Sequence, residues 1–183
     1  PGPAGRLINL AVRGAVPAGG DLVLGFVIRG GPKPLLVRAV GPTLGTFGVG
    51  GTLADPRLEV LFAPTGSVTN SNDNWDGGTT LAQVFAAAGA FALPAPSADA
   101  ALALTLPAEV HHARVTSAVP GGSGVALAEV YDRESAAAGG RLVNISVLGT
   151  VSSGAQALVP GFVIGGSGTR RVLIRAVGPG LAP

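Results

Sequence analysis

Short apolar runs separated by turn residues are the main pattern of this chain. In its first part, Val, Leu and Ile concentrate at 7–13, 22–29 and 35–40, with clusters of Gly and Pro between them. Runs of this length with such boundaries predict β-strands. The same pattern predicts strands in the middle of the chain at 58–62, 67–69, 101–106, 112–116 and 125–131. The segment 80–88 differs, because its apolar residues recur at helical spacing, and it predicts one short helix.

The end of the chain repeats its beginning. RLINLAVRG at 6–14 returns as RLVNISVLG at 141–149, GFVI at 25–28 returns at 161–164, and LVRAVGP at 36–42 returns as LIRAVGP at 173–179. A repeat of this kind indicates that one structural unit is built twice. It predicts three further strands at 142–148, 157–164 and 171–177. About eleven strands are too many for one small sheet, so we expect two packed β-layers or two β-domains.

The repeat divides the chain into three parts. Half-module A covers 1–54, central module B covers 55–135, and half-module A′ covers 136–183 and repeats 6–44. The predicted fold is all-β. It consists of a β-sandwich or jelly-roll-like central module that carries the short helix, flanked by two three-stranded half-modules.

Composition excludes several classes of protein. The chain has 47% hydrophobic residues and a formal net charge of +2, whereas disordered chains combine low hydrophobicity with high net charge. Gly and Pro interrupt every apolar stretch well before eighteen residues, so no transmembrane helix is predicted. The start, PGPAG, has neither Met nor a leader pattern, so we expect a processed product or an excerpt. The absence of Cys suits an exported bacterial protein, and we expect an extracellular or cell-surface location.

Module B resembles a known type of domain. The residues that carry the resemblance are DPRLEV at 55–60, SNDNW at 71–75, LTLP at 104–107 and GVALAEVYD at 124–132. Together they resemble the pre-peptidase C-terminal type of bacterial β-sandwich. The A half-modules resemble the linking parts of tandem β-repeats in large bacterial cell-surface and secreted proteins. The resemblance implies an extracellular structural or accessory role without catalysis.

A polar loop is the best candidate for a ligand site. Asn72, Asn74 and Asp76 have the spacing of the first half of a calcium loop, and Asp73 adds a second charge. The twelfth position from Asn72 is occupied by Gln rather than Glu, so any calcium site would be weak. The alternative is a turn whose Asx side chains bind their own backbone. The neighbouring Trp75 would either be a platform for a sugar ring or close one end of the core.

Catalytic and nucleotide motifs are not found in the sequence. It contains neither a Gly-x-Ser-x-Gly elbow nor a phosphate loop, so we predict no enzyme activity and no cofactor apart from the weak calcium possibility. The eleven Arg residues are spread over predicted strands with few aromatic residues, so a nucleic-acid surface is not expected either.

Charge and repeat symmetry favour assembly. Residues 1–44 carry five basic residues and one acidic residue, 45–135 carry three and nine, and 136–183 carry four and none. Arg38 and Arg175 share one repeat position inside apolar strands, where each either binds a neighbouring element or contacts another subunit. The apolar segment 171–177, with Leu173, Ile174 and Val177, is suited to strand addition.

Two functions follow as hypotheses. The first is a non-enzymatic extracellular structural protein that assembles head to tail with copies of itself, through strand edges, into a filament or surface layer. Under it, A and A′ pair either within one chain or between chains. The second is a polysaccharide-binding or adhesive accessory module of a larger secreted protein, with its site near Trp75, Asp73 and Asp76.

Overall fold

The computed structural model describes residues 5–134 and 139–178. The strands are β1 (Arg6–Val16), β2 (Leu22–Arg29), β3 (Lys33–Val40), β4 (Pro56–Phe62), β5 (Ser67–Asn72), β6 (Ala100–Leu106), β7 (Val110–Ser117), β8 (Gly124–Asp132), β9 (Arg141–Leu148) and β10 (Val159–Gly165). The helix α1 spans Thr79–Ala87, and 3₁₀ helices span Pro42–Phe47 and Gly154–Gln156. The predicted all-β class is confirmed, as are ten of the eleven predicted strands and the helix. The chain start at 1–4 and the last repeat position, Pro179, lie outside the described residues.

The ten strands are antiparallel and fall into two groups. One group has the order β5-β4-β7-β2-β9, and the other has the order β10-β1-β8-β3-β6. A single residue pair between β1 and β9, Leu7 with Leu142, connects the two groups into one sheet. The main hydrophobic core contains buried side chains from both groups, among them Leu58 of β4 and Leu10 of β1. The groups therefore pack face to face, which gives the fold its sandwich character.

The half-modules A and A′ pair with each other within the chain. Strand β1 of A pairs with β10 of A′, and β2 of A pairs with β9 of A′. The two pairings have the same register, because Leu10 lies opposite Phe162 and its repeat counterpart Ile145 lies opposite Phe26. Leu7 and Leu142 are also counterparts and lie opposite each other. A pseudo-twofold axis therefore passes through that pair and relates A to A′.

Module B adds its strands to those of A. Strand β8 lies between β1 and β3, β6 pairs with the other edge of β3, and β7 pairs with β2. The predicted boundaries at 54/55 and 135/136 separate segments of the sequence, but they do not separate bodies in space. In the sheet, strands of A and strands of B lie next to each other and share hydrogen bonds. This interleaving places every edge of A against another strand.

A second, smaller core covers the outer face of β3 and β8. It contains Leu36 and Val40 of β3, Phe85 of α1 and Trp75, which are all buried. Helix α1 contributes Phe85 because its apolar residues recur on one face. Strand β3 is thus buried on both faces, which explains its nearly continuous apolar sequence.

Candidate functional site: the uncovered A′ half-module

Arg38 occupies a closed, fully buried position in half-module A. Its Nε and Nη2 donate to Oε2 of Glu129 in β8, at 2.9 and 2.5 Å, and its Nη1 donates to the carbonyl of Phe91 at 2.6 Å. The guanidinium carbon lies 4.3 Å from the centre of the Phe91 ring. The side chain has no exposed surface. A buried guanidinium is tolerated here because a carboxylate, a carbonyl and an aromatic face surround it.

Tyr131 completes this environment. Its hydroxyl donates to Oε1 of Glu129 at 2.7 Å, so the carboxylate is bound from both sides. Burial, together with the negative charge of Glu129, raises the pKa of the Tyr131 hydroxyl well above its usual value. The tyrosine therefore remains protonated and acts as a hydrogen-bond donor. We refer to Arg38, Glu129, Tyr131, Phe85 and Phe91 as the arginine seat.

The repeat counterpart of this strand in A′ is exposed. The segment 171–177 has no strand pairing among the described residues, and each of its residues is exposed. Leu173 is 86% exposed and Ile174 is 74% exposed, whereas their counterparts Leu36 and Val37 are fully buried. The prediction of a third strand in A′ is therefore wrong for this chain. The physical reason is that strands equivalent to β8 and β6, which hold β3 in place, are not supplied to A′ by the described residues.

Exposed apolar side chains concentrate on A′. Of the fourteen large hydrophobic residues that are exposed in the described part of the chain, ten belong to this half-module. They are Val143, Leu148, Val151, Val159, Phe162, Val163, Val172, Leu173, Ile174 and Val177. An apolar surface of this kind on one part of a protein marks an interaction site. We call these ten residues the A′ patch.

The strands of A′ also have open edges. Within residues 5–134 and 139–178, β10 pairs only with β1, and β9 pairs with β2 on one edge but meets β1 on the other only at Leu142. Unpaired strand edges offer backbone N–H and C=O groups to another strand. The A′ patch therefore combines apolar side chains with free hydrogen-bonding edges.

The structure buries one of the predicted assembly residues, Arg38, and leaves the A′ residues exposed, so their role in assembly stays a prediction. Arg38 is sealed inside its own chain by Glu129, so it does not contact another subunit, and the other interpretation, an Arg that links neighbouring elements, describes it. Arg175, Leu173, Ile174 and Val177 are all exposed, as a contact surface requires.

The polar loop uses its side chains locally. Asn72 Oδ1 accepts from the amide of Ala101 at 3.0 Å, and its Nδ2 donates to the carbonyl of Asn74 at 3.0 Å. Asp76 Oδ1 accepts from the amide of Gly78 at 2.8 Å, which is the geometry of an Asx turn. Asp73 lies 4.0 Å from a guanidinium nitrogen of Arg57. These contacts correspond to the turn interpretation, and weak calcium binding stays a prediction.

Trp75 is a core residue. It is 3% exposed, its Nε1 donates to the carbonyl of Pro94 at 2.5 Å, and its ring centre lies 5.0 Å from that of Phe85. The ring therefore closes one end of the second core and does not offer a face to a sugar. The polysaccharide hypothesis loses its platform at this position.

Sequence reasoning missed Glu129, Tyr131 and Phe91 as partners of Arg38. One signal was present, because Glu129 is an acidic residue within an apolar strand, just as Arg38 is a basic residue within one. Two opposite charges in buried strands favour a pair. Strand order was also needed to match them, and the sequence pattern does not give it.

No family model and no curated protein sequence matches this chain. Among the described residues, no helix is long and apolar enough to cross a membrane. The same residues contain no cluster of three or more His, Cys, Asp or Glu side chains that could hold a metal ion.

Proposed function

We propose that this chain is a non-enzymatic structural protein that joins its neighbours head to tail through the strand edges of A′. The result would be a filament or a surface layer outside the cell. The observation that carries the proposal is the A′ patch, with ten of the fourteen exposed large apolar side chains in the described residues, next to the open edges of β9 and β10. Strand edges of this kind join proteins by adding backbone hydrogen bonds across an interface.

Charge supports a head-to-tail arrangement. A′ carries four exposed Arg residues and no acid, whereas the exposed acidic side chains Asp76 and Glu109 lie in 45–135, whose other acids are mostly buried or paired within the chain. Complementary charges guide two different surfaces together and disfavour contacts between like surfaces. A contact between two different surfaces continues into a filament when its rotation does not close into a ring. The extracellular location rests on the absence of Cys and on the family resemblance.

A second copy of the chain is the simplest neighbour with which to test this function. Light scattering after size-exclusion chromatography, with negative-stain electron microscopy, should show oligomers that grow with concentration. Leu173→Asp places a charge in the A′ patch and should abolish them. Val119→Asp is the matched control, because Val119 is 49% exposed but lies outside A′, and it should leave assembly unchanged. Monomers at every concentration, or equal effects of the two substitutions, would contradict the proposal.

A further inference from the structure

Strand β8 is held between two strands of half-module A. On one edge it pairs with β1, with Glu129 opposite Ala11, and on the other it pairs with β3, with Glu129 opposite Arg38. Both backbone edges of β8 are therefore used. The arginine seat forms at the position where these two pairings meet.

The pseudo-twofold axis assigns counterparts to both neighbours of β8. The repeat places β9 in the position of β1, so Ser146 corresponds to Ala11. In sequence, 171–177 is the counterpart of β3, so Arg175 corresponds to Arg38. The glycine turns that precede β3 and this segment also match, with φ of 87° at Gly30 and 98° at Gly166. A′ thus carries the sequence counterparts of both strands that flank β8, although only β9 forms a strand, and in the described residues nothing pairs with the open edge of β9 beyond Leu142.

We propose that the open edge of β9, together with the unpaired segment 171–177, is a binding slot for a β8-type strand of a further B-type module. This inference rests on the proposed function and names the partner of the A′ edge. The strand it takes alternates small and apolar residues, carries a carboxylate opposite Arg175, and has an aromatic hydroxyl two residues later. Backbone hydrogen bonds on both edges supply affinity, and the carboxylate on Arg175 supplies register.

An intact second copy of this chain does not fill the slot directly. Each copy has two A-type half-modules but one B module, and its β8 already has both edges paired. Its Glu129 already binds Arg38. A copy that donated its β8 to the A′ of a neighbour would leave the β8 position of its own half-module A empty. The total number of occupied β8 positions would therefore not rise. The occupant is therefore a B-type module that has no A half-module of its own, and copies meet only through the uncovered A′ patch.

The experiment uses the full chain and a labelled synthetic peptide with the sequence of β8, GVALAEVYD (124–132). Fluorescence anisotropy measures binding, and hydrogen exchange with mass spectrometry follows the amides of 171–177. We expect saturable binding in a one-to-one ratio, new protection of 171–177, and dissociation of oligomers that form through A′. The same segment should exchange freely in the chain without peptide.

Matched variants test the role of the charge. Arg175→Gln in the chain, or Glu129→Gln in the peptide, should weaken binding about tenfold or more, since one partner of the buried pair is lost. Arg170→Gln removes a neighbouring exposed Arg outside the slot and should not change the affinity. The Arg175→Glu chain should regain binding with a Glu129→Arg peptide. Circular dichroism of the variants should match the wild type, because Arg175 is exposed.

The outcomes separate this inference from the proposed function. If the peptide does not protect 171–177, or if Arg175→Gln binds as tightly as wild type, the slot is refuted even when the chain assembles. If oligomers form and the peptide binds only after they are dissociated by dilution, a second copy occupies the slot, which would also overturn the inference. If the chain stays monomeric but binds the peptide in the expected register, the proposed assembly of copies is refuted and the proposed binding slot is supported.

Discussion

Replacement of the two repeat-related arginines should have very different effects on stability. Arg38→Met removes the cation from the arginine seat and leaves the Glu129 carboxylate buried, with Tyr131 as its remaining partner. Removal of one partner of a buried ion pair costs about 3–5 kcal/mol. Arg175→Met makes the same chemical change at an exposed position, where substitutions usually alter stability by less than about 0.5 kcal/mol. The two variants should therefore differ by at least about 2.5 kcal/mol.

Urea denaturation of both variants and the wild type measures this difference. Folded domains have a total stability of about 5–15 kcal/mol, so Arg38→Met lies within the measurable range. For a chain of this size, its Tm should fall on the order of 10 °C. The double variant Arg38→Met/Glu129→Gln should recover part of the loss, because it no longer buries an unpaired charge. Equal losses in the two single variants would refute the reasoning, since they would mean that Arg175 is buried in a comparable seat.

Three further predictions concern pH and the second core. The pKa of Tyr131 is raised in the folded state, so the stability that its hydroxyl contributes is complete below pH 10 and declines as the pH rises further. Urea midpoints at about pH 8 and about pH 11 should show this decline in the wild type but not in Tyr131→Phe. Burial raises the pKa of Glu59, but its hydrogen bonds with Arg114 and Arg57 outweigh burial and lower the pKa below 4.5. These ion pairs stabilise the fold by about 0.5–1 kcal/mol, because the pair is partly exposed. The stabilisation is present above pH 4.5 and is lost as the pH falls through the folded pKa. Glu59→Gln should thus be less stable than wild type at pH 7 and equal to it at low pH, and a deficit that persists in acid would argue against the ion pairs. Trp75→Ala should lower the free energy of unfolding by about 3–5 kcal/mol, because it opens a cavity in the second core. Urea denaturation measures this loss. A near-neutral effect would mean that the ring lies at the surface.

The pattern of apolar runs predicted most of the secondary structure. Strands such as β2 and β3 were recognisable because Gly and Pro mark their ends and Val and Leu fill them. Helix α1 was recognisable from the spacing of Leu81, Val84 and Phe85. These signals are local, so the sequence alone carries them.

Strand order could not be predicted in the same way. Nothing in the runs themselves places β8 between β1 and β3 or pairs β1 with β10. These contacts join residues that are more than eighty positions apart. The sequence left open whether A and A′ pair within a chain, and the matching registers of β1–β10 and β2–β9 answer that they do.

The segment 171–177 shows the limit of pattern reasoning most clearly. It differs little from β3 in sequence, yet it has no strand partner among the described residues, whereas β3 has two. A strand depends on its neighbours as much as on its own residues. The sequence predicts a strand equally for both copies, but the described residues supply a β8 and a β6 to A alone.

Hydrogen exchange of the two repeat segments in the monomeric chain, at low concentration and without peptide, is the most direct test of this account. The amides of β3, 33–40, should exchange only through global unfolding, and those of 171–177 should exchange within seconds as in an unpaired chain. This result would establish A′ as an uncovered copy of A. Equal protection of the two segments would contradict the account, because the A′ position would then be filled within the chain itself.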